Sequence, residues 1–343
     1  MTGCDDWRYI GGWSKVVFEN PLHAMRKRLT FVFACAICMA AGAALAQYPS
    51  RPIRIIIGFP PGGSADPATR ILGSALSEQM RQPVVVDNRP GADGALSAEL
   101  AMRASPDGHT LLFGSVNAMT AAVALRKVPA YDPARDFTPL SMMGRATQFL
   151  YIHPGVPAKT LSEFIAHAKA NPGKLNCGIP NALSGFQYIQ FARATGLEVL
   201  HVPYKGEGPM TPDILTGRLH SSIISSGTAI ALHKEGRLRA LAVLLKNRSP
   251  QLPDVPTMDE AGVPQVTVRH WAGIFGPAKL PKEIVARLNK EINIALGRGD
   301  VREKFLSFGY AIEGSTPEEL AAISRNDLVQ WRKLIKEANV PLE

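Results

Sequence analysis

Ile53-Arg54-Ile55-Ile56-Ile57-Gly58-Phe59-Pro60-Pro61-Gly62-Gly63-Ser64-Ala65-Asp66-Pro67 is the stretch that decides the fold. Its isoleucines suit a buried strand, because β-branched side chains pack well on a pleated surface. The run breaks at Gly58 and meets a helix start, with Asp66 as a good N-cap and Pro67 at the first helical position. Gly62 and Gly63 can take backbone angles closed to other residues and let a ligand approach the main chain. The Ser64 hydroxyl and nearby amides would then stand at a strand's carboxyl end, beside a helix N-terminus. That arrangement suits an anion.

Two chemical readings of this turn each fail on one residue. Gly58 and Gly63 have the spacing of a phosphate-binding Walker A loop, but Ser64 stands where the lysine would be. Gly62-Gly63-Ser64-Ala65 begins a nucleophile elbow, but Asp66 stands where its last glycine would be. What remains is a neutral, donor-rich cradle for an anion, or a tight turn that holds nothing.

Working outward, Ile71, Leu72, Ala75, Leu76 and Met80 continue the helix from about Pro67 to Met80. Val84-Val85-Val86 is a second strand, and the glycine-rich turn Asn88 to Gly94 feeds a helix from about Ala95 to Ala104. Ser105-Pro106-Asp107-Gly108 is a turn before a third strand, Thr110 to Gly114. This β-α-β-α-β order predicts a parallel sheet with right-handed crossovers. Its strand ends gather the Gly62-Gly63-Ser64 turn and the Gly114-Ser115-Val116-Asn117 turn on one edge.

A second α/β unit begins with a strand near Gln148 to His153 and a capping box, Thr160 to Glu163, that opens a helix. The polar turns Asn181-Ala182-Leu183-Ser184-Gly185 and Ser225-Ser226-Gly227-Thr228 each precede a helix, as the first turn does. Val266 to Phe275 reads as a strand returning to the first unit. Chain crossings near 148–153 and 266–275 would therefore link two lobes. The C-terminus is helical, with Thr316-Pro317-Glu318-Glu319 as a specific start signal.

A chain of 343 residues suggests two domains, and 46% hydrophobic with 20% charged residues is a globular composition. Met25-Arg26-Lys27-Arg28, the apolar run Leu29 to Leu45 and the Ala44-Leu45-Ala46 site read as a signal peptide over 25–46, cleaved after Ala46. Residues 1–24 then precede the true initiator as an over-extended gene start. A membrane anchor is the competing reading of an apolar run near the lower length limit for a span. Export places the mature chain in the periplasm with Cys177 as its cysteine, so it can form no internal disulfide. That cysteine reads as a packed thiol rather than a reactive one.

The net charge of +9 fits an anionic small ligand or simple solubility. The basic residues are scattered, without the dense stripe and interleaved aromatics that nucleic acid would need. The histidines lack metal-ligand spacing, and no cofactor motif is present. A serine-dependent enzyme using Ser64 is the rival class, but no histidine sits at a recognisable motif position beside it.

Several stretches, in order, carry a family likeness: Tyr48 to Ile53, Phe59-Pro60-Pro61-Gly62-Gly63-Ser64, Asp87 to Ala92, Pro106-Asp107-Gly108, Tyr131-Asp132-Pro133, His201 to Gly206 and Leu252 to Thr257. Together they resemble the Bordetella-uptake-gene (Bug) receptors, the periplasmic solute-binding proteins of tripartite tricarboxylate transporters. The resemblance implies an α/β, two-lobed Venus-flytrap fold of type II, each lobe a mixed sheet flanked by helices. One lobe would comprise 47–147 and 273–343, the other 148–272. It further implies a monomer that binds a small carboxylate without a cofactor and hands it to membrane permease subunits. A receptor serving a sensor is the alternative partner.

Carried onto this chain, the resemblance assigns the ligand carboxylate to Phe59, Gly63, Ser64, Ala65 and Asp66. Asn181, Ser184, Ser225 and Ser226 complete the cleft, with Ser115 and Asn117 nearby. The chain departs from the family pattern at Gly58, where proline or alanine is common, and at Ala65, where threonine is common. The 181–187 turn is irregular. Ser225 stands where relatives often carry aspartate; without that acid a partner for an ammonium or hydroxyl group is lost, so the expectation is a plain carboxylate, aromatic or dicarboxylic, rather than an amino acid.

Overall fold

The computed structural model describes residues 48–61, 63–225, 227–266 and 268–342. The signal peptide, its cleavage site and the gene-start reading therefore lie outside the described residues, as do Gly62 and Ser226. From Pro49 onward the chain is one compact unit built on two sheets.

The first sheet begins with β1 (Ile53–Ile57), the strand expected from the isoleucine run, with Ile53, Ile55, Ile56 and Ile57 buried. β2 (Val84–Asn88) and β3 (Thr110–Ser115) pair with β1 on either side, both parallel to it. The connecting helices are α1 (Ala65–Met80) and α2 (Ala95–Met102). The predicted β-α-β-α-β unit is thus present. β4 (Phe137–Ala146), β10 (Ala272–Pro277) and β11 (Tyr310–Ile312) extend the sheet in the order β11-β4-β10-β3-β1-β2. β10 lies antiparallel to both β3 and β4.

The second sheet has the order β7-β6-β8-β5-β9. Its strands are β5 (Phe149–Ile152), β6 (Asn176–Ile179), β7 (Leu200–Pro203), β8 (Ser221–Ile224) and β9 (Arg239–Val243). Around it stand α3 (Leu161–Ala170), α4 (Ala182–Thr195), α5 (Glu207–Leu215) and α6 (Gly227–Lys234). Apolar clusters fill both faces, one around Phe164, Tyr188 and Phe191, the other around Phe149, Tyr151 and Met210. Cys177 is buried in the first of these, as a packed thiol should be.

The chain passes from the first sheet to the second between β4 and β5 and returns between β9 and β10. The return differs from the expected strand over Val266 to Phe275. Pairing starts only at Ala272; just before it the backbone serves the other side of the molecule, where the Val268 carbonyl accepts from Gln187 Nε2 of α4 at 3.0 Å.

The C-terminal helices α7 (Lys282–Gly297), α8 (Gly299–Ser307) and α9 (Pro317–Glu337) complete the unit. The Thr316/Glu319 capping box is formed in full. Trp331 of α9 stacks on Phe186 of α4, with ring centroids 4.8 Å apart, so the C-terminal helix packs against an element of the second sheet.

Candidate ligand-binding site

α1 begins two residues earlier than the Asp66-Pro67 signal predicts. Ser64 is its N-cap, without a side-chain capping bond, and Asp66 lies within the first turn. The Asp66 carboxylate faces away from the helix end, towards β2. It accepts from Asn88 Nδ2 at 2.8 Å and pairs with Arg70 at 3.0 Å. Asn88 Nδ2 also donates to the Phe59 carbonyl at 2.9 Å. Asp66 therefore braces the Phe59 corner from behind and leaves the amino end of α1 uncovered by its own first turn.

Opposite stands the amino end of α4. Asn181 caps it, its Oδ1 accepting from the Ser184 amide at 3.0 Å. The next two amides would be orphans in an isolated helix. Here Ala182 donates to Asp93 Oδ1 and Leu183 to Asn117 Oδ1, both at 2.9 Å. Asn117 sits on a π-helical turn, Asn117–Ala121, directly after β3. Side chains from the first sheet's turns thus cap a helix of the second.

The two sides also meet at Gly206. Its φ of +125° favours glycine, and a Cβ there would stand 2.9 Å from Pro60 Cγ. The next residue, Glu207, opens α5 and turns its carboxylate inward. Glu207 Oε1 accepts from the Ser225 amide at 2.8 Å and from Ser225 Oγ at 2.7 Å. Ser64 Oγ lies 3.2 Å from Ser225 Oγ. Since the Ser225 proton goes to Glu207, Ser64 must be the donor to Ser225. The result is a relay from Ser64 through Ser225 to Glu207. Glu207 is buried, and that burial raises its carboxyl above the usual range. The hydroxyl and amide of Ser225 and the amide of Ser64 act in the opposite direction.

The crossing segments supply the back wall. Gln148 Oε1 accepts from Gln187 Nε2 at 2.8 Å. His270 Nδ1 accepts the Ala146 amide at 3.0 Å, which places the proton of the neutral ring on Nε2. Burial, with Arg145 adding to it, pushes His270 down to about 3. The ring is therefore neutral near pH 7. Tyr310 lies edge-on to it, with centroids 5.7 Å apart.

Between these walls lies a cavity of about 30 Å³, space for about two water molecules. Of the residues singled out from sequence, Phe59, Gly63, Ser64, Ala65, Asn117, Asn181 and Ser225 line it. Asp66, Ser115 and Ser184 do not. Asp66 is turned towards Arg70 and Asn88, and Ser115 is fully buried within β3. Ser184 Oγ donates backwards to the Ile223 carbonyl at 3.0 Å. Ser226 falls outside the described residues.

Sequence reasoning missed Pro60, Gln148, Leu183, Gly206, Glu207, His270 and Tyr310, which also line the cavity. Gln148 and His270 had a usable signal, since both lie on the predicted chain crossings. Glu207 had none. It also brings an acid to position 225, where the sequence itself has serine: the Ser225 hydroxyl and amide hold a carboxylate from a different helix.

Comparison with known proteins follows the same outline. Residues 68–340 match the family model described as "Tripartite tricarboxylate transporter family receptor". Protein BugT of Bordetella pertussis is 33% identical over 317 residues, spanning 91% of this chain and 97% of that protein. An R. palustris protein solved with adipate superposes with a TM-score of 0.82 at 29% identity, covering 86% of this chain and all (100%) of the other. MatC from Rhodopseudomonas palustris, with bound malate, gives 0.79 at 30% identity over 84% of this chain and 100% of that one.

Proposed function

The chain belongs to the tripartite tricarboxylate transporter receptor family, and on that premise we propose that it captures a small carboxylate-bearing solute between its lobes and delivers it to membrane permease subunits. The family comprises periplasmic binding proteins with two lobes, and its members are solute receptors rather than enzymes. This reading includes export to the periplasm with cleavage after Ala46, and action as a monomer. Among the described residues, no helix is long and apolar enough to cross a membrane.

The observation that carries the proposal is the open amino end of α1 in a cavity where both lobes meet. Ser64, Gly63 and Ala65 line that end, and Asn117, Asn181 and Ser225 face it from the rest of the wall. Such a helix end favours a carboxylate through its amides and its dipole. Relatives solved with adipate and malate fit the same ligand class. A cavity of about 30 Å³ cannot hold such a molecule as it stands. Binding therefore requires the lobes to part and close again, the hinge mode of periplasmic receptors. The two crossing segments are the natural hinges.

Hydrogen bonds to a charged group contribute about 1.5–3 kcal/mol each. A few of them, less the ordering costs of association, suffice for micromolar affinity at about 8 kcal/mol. A thermal-shift panel of mono-, di- and tricarboxylates tests this. A ligand at a hundred times its dissociation constant adds about 2.7 kcal/mol of stability. In a protein of this size that is a shift of several degrees, at about 2 °C per kcal/mol. A panel in which no carboxylate moves the midpoint, while neutral solutes do, would sink the proposal. Uptake of the identified ligand by cells carrying the permease, with and without this receptor, tests delivery.

A further inference from the structure

Glu207 is the sole acid among the described residues that line the cavity, and neither lysine nor arginine lines it. Its one titratable base, His270, donates no charge at neutral pH. The carboxylate is held by one oxygen only. Oε1 takes both Ser225 donors, whereas Oε2 is buried, faces Gly63 and has beside it only the Ser64 amide, which makes no hydrogen bond of good geometry to it. A buried, unsatisfied carboxylate oxygen is costly, and native structures rarely keep one without use. A second carboxylate beside it would add a like charge with no counter-ion in reach. A proton donor there would satisfy Oε2 and balance its charge.

We propose that Glu207 sets the specificity of the cavity: its buried, under-satisfied Oε2 selects carboxylates that also carry an amino group and discriminates against dicarboxylates. The inference rests on the carboxylate reading above and narrows it. Opposite ends of the ligand meet opposite surroundings, the carboxylate at the neutral donors of the α1 end and the ammonium at Glu207. Charge-assisted pairing in a closed, water-poor space strengthens the match, and repulsion in the same space strengthens the rejection. The acid that relatives often carry at position 225 is thus replaced by one from α5. The Ser225 hydroxyl, freed from being an acid, orients it.

Matched pairs of amino carboxylates (α- and ω-substituted) and dicarboxylates of equal chain length, titrated calorimetrically into the wild type and Glu207→Gln, test this. Glutamine keeps an oxygen to accept from Ser225 and has nearly the same volume, so the variant retains the fold. The wild type should prefer the amino member of the best pair by about tenfold or more, and Glu207→Gln should abolish or reverse that preference. Equal affinity for both members, unmoved by the substitution, would overturn the assignment of Glu207 and leave the carboxylate reading intact. So would a preference for dicarboxylates kept in Glu207→Gln, which would mean that Glu207 holds a proton and donates it. If no carboxylate of either series binds either protein, the receptor reading itself fails and this inference falls with it.

Discussion

At the Ser64 corner a strand ends, a short turn follows and a helix begins with an acid in its first turn. At the Gly206 corner the same order of elements recurs, and again an acid occupies the first turn. The outcomes are opposite. Asp66 points outward to Arg70 and Asn88, so the positive end of α1 remains available to an incoming anion. Glu207 points inward, with no lysine or arginine lining the cavity, and its carboxylate reaches away from its own helix to Ser225 and towards Gly63. One corner is therefore built to receive negative charge and the other already holds it. Helix ends alone do not define an anion site; what their first-turn side chains face decides it.

The strongest way to break this comparison is to remove the donor at the receptive corner. With a ligand in place the Ser64 proton, given to Ser225 in the empty cavity, turns to the carboxylate, so Ser64→Ala should lower the affinity for the best carboxylate by about ten- to a hundredfold, the value of one hydrogen bond to a charged group. Calorimetry that finds less than a twofold loss would show that the corner does not hold the carboxylate through its hydroxyl.

Acid should act on the back wall common to both corners. His270 has a folded-state value near 3, below its ordinary 6.5, so its contribution is present above 6.5 and is lost as pH falls towards the folded value. The slope is about 1.4 kcal/mol per pH unit, or about 2 kcal/mol by pH 5. Denaturant unfolding of the wild type and His270→Asn at neutral pH and at about pH 5 measures it. Parallel pH dependence in both proteins would remove His270 from the account.

Backbone substitution sharpens the contrast further. At Gly206 a Cβ meets Pro60 at 2.9 Å on a φ of +125°, whereas at Gly63 it would sit 3.7 Å from Glu207 Oε2, an ordinary contact. Gly206→Ala should hinder closure and weaken binding by about tenfold, the effect of placing a Cβ in a left-handed conformation. Gly63→Ala should change affinity by less than about threefold, since it meets only an ordinary contact. Equal effects at both sites, read by titration, would erase the distinction.

The smallest effect is on the unliganded protein. Burial raises Glu207 above its ordinary 4.5, so its stabilising share is present below that value and is lost as pH rises through the folded one. Glu207→Gln should therefore raise the neutral-pH melting midpoint by about 2 °C, equivalent to about 1 kcal/mol. The gain should vanish as pH falls towards 4 or so, which scanning calorimetry across pH would reveal.

Much of the first lobe was readable because its signals are local. The isoleucine run and the capping box at Thr316 act over a few residues, and both formed where expected. The same locality explains the misses. Asp66 looks like an N-cap in sequence, yet Asn88, brought beside it only when β1 and β2 pair, takes its carboxylate together with Arg70 one turn along the same helix. Ser184 looks like part of a polar turn, yet its hydroxyl bonds a carbonyl of β8. Ser225 looks like the loss of an acid, yet folding places Glu207 against it.

By itself the sequence determined which segments become strands and helices, and that donor-rich turns cap several of them, since backbone propensity and periodicity act between near neighbours. Only the tertiary structure decided which turns face one another, which acid points inward and what charge the cavity holds. Those outcomes depend on contacts between residues far apart in the chain, such as Ser64 with Ser225 and Asn117 with Leu183. No local pattern encodes them, because burial and pairing arise only when the two sheets are packed together.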